Sequence, residues 1–259
     1  MGNDGVTAVE RALGLLDCFR PGEESLTLAA FASRVKLHKT TIYRLLNSLT
    51  RMGYVLRQPG GAYTLGPRVL YLGRVYELGF QMSDWVVPRL RELSQATDET
   101  ASYYVESAGQ RMCLFRIQPR EGLHQHVLAG SLLPFDDSST GQVFRHWGLQ
   151  GAVHLGVPAP ALPVQTSGVR DSFTASMCVP VFGQDDQFVG AMTLSGLRDR
   201  VEQKRPAFVA ALLQQADSLS AALGASPAQR ALLLGGLPST APGKSRKPRK
   251  LRKPHESAA

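Results

Sequence analysis

Thr40, Thr41, Arg44, Ser48 and Arg51 share one side of the run KTTIYRLLNSLTRMGYV (residues 39–55), and Ile42, Leu45, Leu46, Leu49 and Met52 recur on the other. The apolar recurrence is that of a helix with one buried face. The opposite side consists of hydroxyls and guanidiniums without a carboxylate, whereas a solvated helix surface usually mixes acids with its bases to form i,i+4 pairs. On one reading another molecule supplies the negative charge. Thr40 and Thr41 stand at the helix start, where backbone N–H groups are free, and suit a phosphate or a base edge. Arg44, one turn later, suits the O6/N7 edge of a guanine through two parallel hydrogen bonds. Lys39 and Arg51 suit phosphates, and Arg57, beside QPGG, suits the sugar-phosphate backbone or the minor groove. The plainer alternative is a solvated basic face on an ordinary protein-facing helix-turn-helix.

Other residue sets carry weaker chemistry. Thr193 and Ser195 alternate with Met192 and Leu194, so one strand face presents two hydroxyls while the other packs. His124 and His126 have strand spacing, but no carboxylate or cysteine joins them at ligand spacing, and a hydrogen-bonded or exposed pair is the simpler reading. The three cysteines, Cys18, Cys113 and Cys178, are odd in number, widely separated and in apolar company, as reduced core thiols are. No GxSxG elbow, phosphate-binding glycine loop, HExxH or paired CxxC occurs, so no catalytic machinery, cofactor or metal is expected.

The basic run needs elements that hold it up. Residues 7–19, TAVERALGLLDCF, have helical apolar spacing, with Thr7 and Glu10 as a capping box. After Pro21-Gly22, LTLAAFASRV offers a short helix capped by Thr27, and KLH turns the chain into the basic helix, completing a helix-turn-helix in outline. Two extended runs, 54–58 and 62–65, around Pro59-Gly60-Gly61 make a hairpin, the wing. PRVLYLGRVYELGFQM then begins with a helix-tolerated proline and carries more apolar surface than one small domain would cover, as a linking and dimerising helix does. Beyond it a helix, strands around the Ala108-Gly109 turn, two strands joined at 183–187 and the helix KRPAFVAALLQQADSLSAALG predict an α+β domain with an antiparallel sheet. The expected division is 1–66 winged helix-turn-helix, 67–81 linker helix, 82–224 sensor and 225–259 disordered basic tail.

Charge follows the same division. The chain of 259 residues carries a net +8, with +3 in residues 1–66, −3 in 81–224 and +7 in 225–259. Basic ends around an acidic middle assign polyanion contact to the ends and another task to the middle. The seven bases between Lys244 and Lys253 can add affinity for phosphates without sequence information, or simply solubilise. With no basic-then-apolar leader and no stretch near 18 apolar residues, a cytoplasmic protein is expected, with no membrane partner.

The pieces RALGLLDCF, KTTIYRLLNSLTRMGYV, GAYTLGPRVLYLG, LLPFDDSSTGQ and MCVPVFGQDDQFVGAMTLSG, in this order across residues 7–224, resemble the isocitrate lyase regulator (IclR) family of bacterial transcription factors. The resemblance implies an α+β chain with an N-terminal winged helix-turn-helix, a linker helix and a C-terminal GAF-like effector domain. It further implies homodimers or tetramers bound to palindromic operators in double-stranded DNA and controlled by a small-molecule effector. It places effector contacts at Ser138, Ser139, Thr140 and Gly141, and on paired strands at Ser176, Cys178, Thr193 and Ser195. Two departures bear on that site. Asp136 and Gln142 stand at or near places where the family usually has a histidine and a lysine, and LPVQTSGVRDSFTAS is shorter than its family counterpart, so part of a pocket wall is expected to be missing. An acid lining the pocket would disfavour a carboxylate ligand, whereas an acid just before a helix ordinarily complements its dipole. The expected function is an effector-controlled DNA-binding regulator. The alternatives are a ligand-independent regulator with a degenerate sensor, or an enzyme with a winged-helix appendage.

Overall fold

The computed structural model describes residues 5–79, 82–119, 127–148, 156 and 158–235. The chain divides into two compact units, residues 1–82 and 83–259.

In the first unit, helices α1 (Thr7–Leu16), α2 (Leu28–Arg34) and α3 (Lys39–Arg51) enclose a core of Leu15, Phe31, Ile42 and Leu46, closed below by Val55 and Tyr63. Phe31 meets Phe19 and Tyr63 edge-on, which fixes α2 against the strands. Thr27 caps α2 as its position predicts, its hydroxyl accepting from Ala30 N at 3.2 Å. The capping box at Thr7 does not form: Val6 is the N-cap and makes no side-chain bond, because Thr7 is already helical. Met52 also departs from the expected buried face. It lies beyond the last helical residue and is 64% exposed, since the chain turns away at Gly53.

Strands β1 (Ser25–Leu26), β2 (Val55–Arg57) and β3 (Tyr63–Leu65) form an antiparallel sheet in the order β1-β3-β2. The β2–β3 hairpin is the expected wing; β1 has no signal of its own, being two residues recruited by β3. Gly66 is required at the wing's end, where a Cβ would collide with the Gly53 carbonyl. Helix α4 (Pro67–Gly79) follows and exposes Leu70, Tyr71, Leu72, Val75 and Tyr76.

The second unit is a six-stranded antiparallel sheet with helices. Its strands β4 (Thr100–Ser107), β5 (Gln110–Ile117), β6 (Leu132–Leu133), β7 (Val164–Ser167), β8 (Thr174–Phe182) and β9 (Phe188–Leu197) stand in the order β6-β5-β4-β9-β8-β7. The β4–β5 and β8–β9 hairpins form where the turns at 108–109 and 183–187 predict them. The short edge strands β6 and β7 carry no comparable sequence signal. Helix α5 (Met82–Thr97) enters the unit, and α6 (Ser139–Trp147), α7 (Arg198–Gln203) and α8 (Arg205–Ala222) pack against the central strands. The pleat puts Ser176 and Cys178 of β8 beside Ser195 and Thr193 of β9 on the face toward α6. Met192 and Leu194, fully buried, point to the other face.

The expected disordered tail is corrected at its start. Pro227–Leu234 form helix α9, capped by Ser226 and held by Arg230, whose guanidinium binds both oxygens of Asp217 at 2.7 Å. Asp186 anchors the same point, accepting from the Ser226 amide and hydroxyl. The capping serine, a proline at the first turn and the buried Leu233 supply enough local and tertiary contact for order. The lysine- and arginine-rich segment 244–253 lies outside the described residues, as do His124 and His126.

Candidate functional site

Two sites emerge, one in each unit. In the first, burial of Ile42, Leu46 and Leu49 forces the opposite side of α3 outward. Lys39, Thr40, Arg44, Ser48 and Arg51 are exposed and Thr41 is half-buried. The Ser48 hydroxyl donates to the Arg44 carbonyl at 3.2 Å, leaving its lone pairs outward. Among the described residues no acid pairs with Lys39, Arg44, Arg51 or Arg57, so their charge is available to an external anion.

Arg57 ends β2 and is exposed at the wing. The hairpin beneath it is stiffened by Gln58, whose amide bonds Thr64 and whose backbone N–H bonds Ala62. Two exposed residues on the same side of α3 escaped the sequence reading: Tyr43 and Asn47. Asn47 lies one turn after Tyr43 and one turn before Arg51, centrally on the outer face, and its amide has the donor–acceptor pair that matches an adenine edge. Searching for charge and hydroxyls passed over it.

In the second unit a small open pocket of about 50 Å³ lies between α6, β4 and the strands β7–β9. Ser138, Thr140, Ser176, Thr193 and Ser195 line it. Three other residues expected to contact an effector do not line it. Ser139 is fully buried, its hydroxyl 2.8 Å from that of Ser176 and its amide donating to Thr166 Oγ1 at 3.0 Å. Cys178 is also fully buried: Thr193 Oγ1 bonds its Sγ at 3.3 Å, and burial pushes the thiol up to about 12, so it is a neutral core group. Gly141 is there for close approach, since a Cβ would collide with the Asp136 carbonyl just upstream of the helix.

The sequence reading also missed part of the lining. Tyr104 comes from β4, Thr166 from β7, and Val169 and Arg170 from the loop after it. The stretch expected to leave a wall missing therefore builds one. Its strand, β7, is short and is recognisable only through pairing with β8. The Tyr104 hydroxyl is pushed up to about 12 by burial and stays a proton donor at any ordinary pH.

Neither acid before α6 lines the pocket. Asp136 accepts both terminal nitrogens of Arg111 at 2.9 Å, while Ser138 donates to it through its amide and hydroxyl. Arg111 is 1% exposed, and its NH1 also bonds the Ser138 hydroxyl at 2.8 Å. Burial raises the Asp136 pKa, but the hydrogen bonds from Arg111 and Ser138, with the guanidinium charge, together hold it below its ordinary value. Ser138 in turn caps α6 by accepting from Gly141 N. Arg111, Asp136 and Ser138 thus lock the helix start that presents Thr140 to the pocket. Asp137 instead forms an exposed pair with Arg145 at 3.0 Å.

A winged helix-turn-helix with an acid-free outer helix, followed in the chain by an α+β unit with a hydroxyl-lined pocket, defines a class of DNA-binding regulators with a second domain. Residues 8–59 match the IclR helix-turn-helix domain model. The chain thus carries an IclR-type helix-turn-helix domain, that of a DNA-binding transcriptional regulator. It is 24% identical over 246 residues to the HTH-type transcriptional regulator XynR of Escherichia coli, covering 85% of this chain and 98% of that one. Two further regulators, from Escherichia coli and Bacillus subtilis, align over 52% and 53% of their own lengths. Among solved structures, a putative IclR regulator from Silicibacter superposes with a TM-score of 0.72 at 24% identity, covering 90% of this chain and all of that one. An IclR homologue from Microbacterium hydrocarbonoxydans complexed with 4-hydroxybenzoate gives 0.66 at 18% identity, covering 84% and 99%. Among the described residues no helix is long and apolar enough to cross a membrane.

Proposed function

We propose that this regulator reads a palindromic operator with two copies of α3 and is controlled by a small molecule held in the pocket of its second unit. The observation that carries the DNA reading is the acid-free outer face of α3, where Lys39, Thr40, Arg44, Asn47 and Arg51 stand without an acidic partner among the described residues. Thr41 and Ser48 flank that face, and Arg57 adds a contact from the wing. The apolar stripe of α4, led by Leu70 at 68% exposure, supports assembly through that helix into the dimer that two half-sites require.

The effector reading is supported by hydroxyls of Ser138, Thr140, Ser176, Thr193 and Ser195 converging on one pocket, and by the 4-hydroxybenzoate complex of the Microbacterium relative. Control requires the ligand to bind one arrangement of the protein better than another. Selection of bound duplexes from a randomised pool tests the first part: a recovered inverted repeat supports it, and no preference at moderate ionic strength refutes it. A thermal-shift screen against a metabolite library tests the second, because a ligand stabilises the state it binds. A pocket of only about 50 Å³ favours one competing reading, a sensor that has lost its ligand, and a screen without a hit would support that reading. Turnover of a hit would instead favour an enzyme.

A further inference from the structure

We propose that a groove beside α7 in the second unit is a separate ligand site, and that it takes a small zwitterion with an apolar body, such as an apolar amino acid. The groove lies outside the effector pocket described above and does not depend on that reading.

The groove is open and encloses about 420 Å³. Small-molecule sites run from about 300 to 1,000 Å³. Phe173 and Leu197 supply its apolar wall, and both are exposed. One loop separates the groove from the effector pocket: Val169 and Arg170 line that pocket, while Ser172 and Phe173 line the groove. The loop is closed at its base, where Gly168 N donates to the Thr174 carbonyl at 2.9 Å and Arg198 N to the Phe173 carbonyl at 2.8 Å.

The lining holds two opposite charges that meet no partner. Arg198 makes no side-chain hydrogen bond or ion pair among the described residues, and its Nε is buried without an acceptor there. Its guanidinium lies across the base of the loop, where a Cβ on Gly168 would come within 2.8 Å of it. Asp199 is exposed and likewise has no partner among the described residues. As neighbours in α7 the two side chains do not face each other, so they do not neutralise one another. The third charged residue of the lining, Arg200, is committed to Glu99 at 2.7 Å, with Asp98 3.7 Å away. Asp171 and Lys204 flank these residues in sequence but do not line the groove.

Three demands are therefore unmet in one place: an anion for Arg198, a cation for Asp199 and an apolar group for Phe173 and Leu197. A carboxylate matches the paired donors of a guanidinium. An ammonium group answers Asp199, and an apolar side chain gains by leaving water against the wall. A plain anion would answer Arg198 but bring like charge beside Asp199. Only a ligand carrying all three groups satisfies the lining.

The test titrates the full chain with leucine and with phenylalanine. Each is run beside the acid lacking its amine, isocaproate or hydrocinnamate, and the amine lacking its acid, isopentylamine or phenethylamine. Calorimetric affinity and melting temperature are read for the native protein, Arg198→Gln, Arg198→Lys, Asp199→Asn and Thr193→Val. The expected result is that at least one amino acid binds more tightly than both of its analogues. Arg198→Gln then weakens it roughly tenfold to a hundredfold, with partial recovery in Arg198→Lys. Asp199→Asn weakens it roughly twofold to fivefold, as befits an exposed pair, and Thr193→Val leaves it unchanged. If Arg198→Gln fails to unfold cooperatively in urea, Arg198→Lys and Asp199→Asn carry the comparison. An acid binding as well as its amino acid, unaltered binding in the Arg198 variants, or silence of both amino acids overturns the inference. If Thr193→Val removes the binding and the Arg198 variants keep it, the ligand sits in the effector pocket, and the groove falls while the effector reading stands.

Discussion

Removing Asp136 should destabilise the second unit more than removing Arg111, although either change breaks the same two bonds between them. The asymmetry follows from where each charge is left. Without Asp136, the Arg111 guanidinium stays 1% exposed with only the Ser138 hydroxyl as partner, an uncompensated buried charge that costs about 3–5 kcal/mol. Without Arg111, Asp136 still accepts from the Ser138 amide and hydroxyl and is 32% exposed, so water can solvate it. Arg111→Met, which also keeps the apolar stem packed, should therefore cost about 1–2 kcal/mol. The double variant should resemble Arg111→Met alone, because Asp136 then has no buried charge left to neutralise.

The chain offers a direct readout. Its two tryptophans, Trp85 and Trp147, both lie in the second unit, so their fluorescence reports that unit alone during urea or thermal unfolding. The expected drop for Asp136→Ala is roughly 10 °C, using about 2–4 °C per kcal/mol for a unit of this size. An Asp136→Ala cost equal to or below that of Arg111→Met, or strictly additive costs in the double variant, would refute the account of the clamp.

Acid should act through the same pair. The folded Asp136 pKa is lowered, so its contribution is complete above the unfolded value of about 3.9 and is lost as pH falls through the folded one. Between pH 5 and 2, tryptophan-detected stability should fall more steeply in the native protein than in Asp136→Asn. In the first unit, Arg44→Ala should cost about 1–3 kcal/mol of specific operator binding and relax preference at one base pair, and Asn47→Ala should relax a different position. Competitive selection on the two variants checks both, and an unchanged site preference for either removes that residue from base reading. Deleting residues 240–259 should flatten the dependence of log affinity on log salt, because each phosphate contact adds close to one unit of slope. An identical slope in a salt titration would make the tail a solubilising segment.

Much of the first unit was legible in its sequence because its signals are local. The period of Ile42, Leu46 and Leu49 sets which side of α3 is buried, and hence that Thr40, Arg44 and Arg51 face out. Pro59-Gly60-Gly61 between two short extended runs places the wing, and the Thr27 cap follows from its spacing to α2. Local reasoning failed at Thr7, Met52 and Asn47. At Thr7 and Met52 a shift of one residue at a helix end decides the outcome; at Asn47 attention to charge hid a neutral reader.

Only the tertiary structure decided the second site. Asp136 meets Arg111 across 25 positions of chain, and Thr140 meets Thr193 across 53. No periodicity encodes such partners, since they depend on sheet register and on where α6 lands against β8 and β9. The same holds for β7, which exists through its pairing with β8 and carries the chain into the loop that brings Arg170 to the pocket, and for α9, ordered by Asp186 and Asp217. The amino-acid order alone determined the type of surface α3 presents, because a helix repeats every 3.6 residues. Whether the acid before α6 repels a ligand or neutralises a buried arginine was settled by packing, because charge acts through space rather than along the chain.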